Sequence, residues 1–126
     1  MRTAKIEVNG KDYLLCFSTR VMRDCMERYG ELENIGSILG GNDAMKTLDE
    51  SIWLLAQMMA AGAKYAKLEG IENPEPLSYD DLYNSFDMDD WLGMKEKIEE
   101  TISEGTRRDV ETEPEKGKNA KATQRN

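Results

Sequence analysis

The chain has 126 residues, a net charge of −8 and no histidine, a length that suits one domain with a tail. Hydrophobic residues make up 39% and charged residues 33%, so a modest core under a heavily solvated exterior is expected. The acidic balance works against nucleic-acid binding, which relies on Lys and Arg to displace phosphate counterions, and the missing histidine removes the commonest general base and metal ligand.

Met1-Arg2-Thr3-Ala4-Lys5 leads into alternating polar and apolar residues rather than a signal-peptide core. The most apolar stretch, residues 52–63, is interrupted by Gln57 and too short to span a bilayer. A cytoplasmic protein without membrane contact is therefore expected.

Ile6 and Val8, then Tyr13, Leu15 and Phe17, alternate with Lys5, Glu7 and Asp12 on either side of Asn9-Gly10. That pair accepts positive φ at both central turn positions and predicts a hairpin with strands over 3–9 and 11–17. Two strands alone are marginal, so helices must cover one face. Ser18 or Thr19 then caps a helix to Tyr29, stopped by Gly30, with Val21, Met22, Cys25, Met26 and Tyr29 as its buried stripe. Cys16 and Cys25 read as small buried residues; two cysteines without histidine do not make a zinc site. Leu32, Ile35, Ile38 and Leu39 mark a short helix or turn, broken by Gly40-Gly41.

Asn42 or Asp43 caps the longest helix, to about Leu68. Met45, Leu48, Ile52, Leu55 and Met59 line one face, widened by Trp53, Ala56, Ala60 and Ala63. A helix apolar over so much of its surface is either central to the fold or shared with another chain. Residues 70–77, with Pro74 and Pro76, form a connector. Ser78 with Asp81, and Asp87 with Asp90, are capping pairs that open a short helix and then a last one, which carries Trp91, Met94, Ile98 and Ile102 on one side. Hydrophobic patterning stops near Glu104, giving a domain over 1–104 and a charged tail over 105–126 that is expected to be disordered. The tail is +2, which leaves −10 on residues 1–104. The expected class is α+β, mostly α: an N-terminal β-hairpin packed on a helical bundle.

The acidic pairs are expected to serve the helix starts, where negative charge favours the dipole. Gly40-Gly41-Asn42-Asp43 lacks the Gly-Lys-Ser/Thr ending of a phosphate loop. No nucleophile elbow occurs, and without histidine the usual triads are unavailable. No catalytic, cofactor or metal site is expected, and the chain is not expected to be an enzyme. Seven methionines fall on predicted helices, where their flexibility suits either gap-filling in a core or an adaptable binding surface. Met58 and Met59 are expected to be exposed, because neighbours on a helix cannot both enter one narrow seam. Trp53, Met58, Met59 and Trp91 are the expected partner-binding residues.

The order of these pieces resembles a known family. Lys5-Ile6-Glu7-Val8-Asn9-Gly10-Lys11-Asp12-Tyr13 enters a hairpin, and Phe17-Ser18-Thr19 opens a helix ending at Tyr29-Gly30. A long helix follows, ending near Ala61-Gly62-Ala63-Lys64-Tyr65, and Leu77-Ser78-Tyr79-Asp80-Asp81-Leu82 leads into an acidic helical pair. Over about residues 5–104 this is similar to the tail assembly chaperones of siphophages and prophages of Gram-positive bacteria. The resemblance implies a protein absent from the finished virion that binds the aggregation-prone tape measure protein, keeps it soluble and helps tail tube protein polymerise around it. Self-association along the same helical faces, giving a homo-oligomer, would suit that role. The family often makes a longer product by ribosomal frameshifting; Gly117-Lys118 and Lys118-Asn119 are both encodable by slippery heptamers. Two rival readings are a structural tail or head-completion subunit of the virion and an acidic DNA-mimic or inhibitor protein.

Overall fold

The structure, a computed structural model, describes residues 3–106. The expected disordered tail lies outside the described residues except at its first two positions. The elements run β1 (Thr3–Val8), β2 (Lys11–Cys16), α1 (Thr19–Tyr29), α2 (Glu33–Leu39), α3 (Ala44–Glu69), α4 (Tyr79–Tyr83) and α5 (Met88–Thr106). This is a hairpin packed on helices, as the patterning predicts.

Asn9 and Gly10 take φ of 53° and 82°, the two left-handed residues of a tight hairpin turn. They pair Val8 with Lys11 and, further along, Ile6 with Tyr13 and Ala4 with Leu15. Residues opposite one another share a face, so Ala4, Ile6, Val8, Tyr13 and Leu15 form the apolar side that enters the core. The helix starts follow the expected chemistry. Ser18 accepts from the Val21 amide, Asp43 from Lys46 and Ser78 from Asp81. Asp87 and Asp90 cap reciprocally, each side chain taking the other's amide at 3.0 and 3.3 Å. At the far end of α3, Gly70 sits at φ 73° while the Ile71 amide reaches back to the Ala66 carbonyl, a Schellman ending.

The central contact is α3 on β2, with α5 lying chiefly on β1. Gly62 lies against the Leu14 peptide so closely that a Cβ there would overlap the Leu14 carbonyl. Next to it the Leu14 amide donates to Asn73 Oδ1 at 3.0 Å, so the connector after α3 also closes this edge of the sheet. Helix α3 runs through Gly62 to Glu69, and that glycine marks a close approach rather than an end.

Three expectations are corrected. Met26 and Met45, placed on buried stripes by their spacing, are 49% and 76% exposed; each lies just beyond the arc its neighbours cover. The 104/105 boundary falls too early. Helix α5 continues to Thr106, and Gly105 packs on Phe17, where a Cβ would come within 3.0 Å of the Phe17 carbonyl oxygen. Composition marked Gly105 as tail because a glycine contributes no apolar side chain to the pattern, although its backbone fills a gap in the packing.

Gly62→Ala is expected to destabilise the protein. Alanine gains about 1 kcal/mol in helix propensity, but it must push α3 off a strand backbone, an overpacking cost of roughly 1–3 kcal/mol. A lowered urea midpoint checks this, and an unchanged or raised midpoint contradicts it.

Candidate binding groove

The strongest candidate site is an apolar groove of about 420 Å³ between the first half of α3 and the α4–α5 corner. Ala44, Leu48 and Ile52 form one wall, Tyr83 and Phe86 the floor at the turn, and Met88, Trp91 and Met94 the other wall. Each wall follows from helical spacing: residues 44, 48 and 52 are four apart, and 88, 91 and 94 are three apart. The capping pair Asp87–Asp90 fixes where α5 begins, and thereby leaves Met88, in the first turn, 87% exposed. Met45, beside Ala44, is 76% exposed, and Leu92, one turn after Met88, is 67% exposed. The Tyr83 hydroxyl donates to Asp49 Oδ1 at 2.5 Å. That bond ties the ring, which lines the groove, to α3 and pushes the phenol pKa up to about 12.

The four expected binding residues fall in three different environments. Trp91 lines the groove. Trp53 is half-buried and engaged inside the molecule: the Arg28 guanidinium stacks 4.4 Å from its ring centroid, and Tyr29 meets it edge-on at 5.8 Å. Met58 and Met59 are fully buried, which overturns their expected exposure. The expectation assumed that α3 has one narrow buried seam. Instead β2 flanks this helix on one side and α2, α4 and α5 on others, so its buried arc takes two adjacent side chains. Met59 faces the connector, its sulfur 3.3 Å from the Leu77 amide. Met88 was missed as a groove-lining residue, and Met45 and Leu92 as exposed apolar residues. For Met88 a signal was available: a large apolar residue between two capping aspartates occupies the first turn, before the buried face is established.

Behind the groove, α1 is tied to α3 by a polar cluster. Arg28 Nε and Nη2 reach the two Glu50 carboxylate oxygens at 2.7 and 3.2 Å, and the Tyr29 hydroxyl donates to Oε1 at 2.6 Å. The Arg28 hydrogen bond, followed by that from Tyr29, holds the Glu50 pKa below its ordinary value against the opposing effect of burial. Both cysteines are free and buried; burial raises both thiol pKa values, that of Cys25 to about 11. Among the described residues no group of three His, Cys, Asp or Glu side chains is placed to hold a metal ion, and no helix is long and apolar enough to cross a membrane. In comparisons with known proteins, the chain matches no family model, no curated protein and no solved structure.

Two outcomes follow from these placements. Met59→Asp puts an unpaired charge into the core, at a cost on the order of 3–5 kcal/mol, and should appear as loss of the cooperative thermal transition rather than as a surface defect. Glu50 has a depressed folded-state pKa, so its stabilising effect is complete above the ordinary carboxylate pKa and is lost as pH falls through the folded value. Wild type should therefore lose more stability than Glu50→Gln on acidification below about pH 4.5, as read by urea unfolding at stepped pH. Parallel losses would contradict the assignment.

Proposed function

We propose that this chain is a phage tail assembly chaperone that holds an apolar segment of the tape measure protein in the α3–α5 groove while tail tube protein assembles around it. The supporting observation is apolar surface that the fold leaves outside its own core: Met88 lines an apolar groove and is largely exposed, and Met45 and Leu92, on the two helices that wall the groove, are largely exposed as well. An apolar groove open to solvent on a small domain suits a docking site, and methionine side chains adapt to varied partner shapes. The −10 charge on residues 1–104 would keep a carrier–client complex dispersed by self-repulsion. The order of hairpin, long helix and acidic helical pair, similar to that family's, supports the same reading. The role is one of binding, without catalysis.

Met88→Asp and Leu92→Asp alter exposed positions and should leave the circular dichroism spectrum intact. They should weaken co-purification of tape measure protein at least tenfold, equivalent to about 1.4 kcal/mol. Apolar capture should also survive high salt, whereas an acidic mimic gripping a basic groove would release its partner. Undiminished capture by the double variant would sink the placement, and abundant copies in purified virions would favour a structural subunit instead.

A further inference from the structure

The sheet has one covered edge and one open edge. Leu14 gives its amide to Asn73 rather than to β1, so the opposed pair Leu14–Lys5 is one that exchanges no ladder bonds. The two-residue turn agrees, because it makes Val8–Lys11 a bonded pair and bonded and unbonded pairs alternate along an antiparallel ladder. Ala4, Ile6 and Val8 consequently direct their backbone groups at β2. Lys5 and Glu7 turn theirs outward, and no other described residue hydrogen-bonds to them. Beside this edge lies an open gap of about 710 Å³, with α5 as its far wall; Gly93 on that wall has nothing within 4 Å of where a Cβ would stand.

From this edge we infer that two copies of the chain pair β1 to β1, antiparallel about Ile6, and join their hairpins into one four-stranded sheet. A strand centred on Ile6 is complementary to itself in this register. Lys5 of one copy stands opposite Glu7 of the other, and Glu7 opposite Lys5, and these are the residues whose backbone groups are free to exchange bonds. Ile6 then meets Ile6, and Ala4 meets Val8, on the apolar face. Charged side chains commonly blunt an open edge, but opposite charges placed symmetrically about a two-fold axis favour self-pairing, since like charges directly opposite destabilise and unlike charges stabilise. The surface involved is a sheet edge and not the helical face expected from sequence, and it is independent of the proposed client groove.

The test uses the full chain. Sedimentation should show a concentration-dependent dimer for wild type. Lys5→Glu and Glu7→Lys should each weaken it by roughly tenfold or more, because each places like charges opposite one another at both symmetry-related pairs. Mixing the two single variants should restore dimerisation. One chain then carries acid at both positions and its partner carries base at both, so every opposed pair is again of unlike charge. Hydrogen exchange at the Lys5 and Glu7 amides should slow as concentration rises, while the Ile6 amide is protected throughout. A chain that stays monomeric, a dimer indifferent to both reversals, or exchange at Lys5 and Glu7 that ignores concentration would each overturn the inference. Failure here would leave the groove reading standing, because Met88 and Leu92 are tested separately.

Discussion

The contact between the α3 backbone and the Leu14 peptide of β2 organises the molecule. A two-stranded hairpin is marginal in water, and this one persists because a 26-residue helix lies against its second strand. The approach requires a position without a side chain, supplied by Gly62. Once α3 is seated there, Asn73 on the following connector comes within reach of the Leu14 amide. Edge closure on β2 thus follows from the same contact, and β1 is left as the only strand edge with outward backbone groups among the described residues.

That arrangement also decides how the abundant methionine is divided. Helix α3 is covered over a broad arc rather than a narrow seam, so Met58 and Met59 both fill space in the core, where a flexible thioether packs well between unlike neighbours. Toward its N-terminal end the cover thins. Ala44, Leu48 and Ile52 form one wall of a groove, and Met45, next in the chain to Ala44, is exposed. Helix α5 contributes Met88 and Trp91 to the opposite wall, and its other flank borders the gap beside β1; Phe86 and Met94 touch both spaces. The groove and the gap beside the sheet edge therefore share α5 as a wall, while the residues that would engage each partner remain distinct.

Electrostatics act at two scales. Locally, Arg28, Tyr29 and Glu50 join α1 to α3 through short charge-assisted bonds, with Trp53 stacked under the guanidinium. This is why Trp53, an attractive interface residue on composition, is occupied inside the fold. Across the whole domain, the acidic excess works against self-aggregation of a protein that leaves oily side chains in water.

The local signals in the sequence were sufficient for the hairpin, its turn and the helix starts, because these depend on residues two to four positions apart: Asn9-Gly10 at the turn, Ser18, Asp43 and Ser78 at caps, Asp87 with Asp90 at the start of α5. Period alone also placed Met94 and Ile98 inside. What tertiary structure alone decided is how many sides of a helix are covered. Periodicity locates the direction of an apolar stripe but not its width, which depends on how many elements converge there. Hence Met58 and Met59 lie in the core, Met26 and Met45 face solvent, and Gly62 and Gly105, which carry no side chain to enter a pattern, are close-packed backbone contacts. The groove was legible only at Trp91, because its walls come from segments some forty residues apart that no local pattern connects.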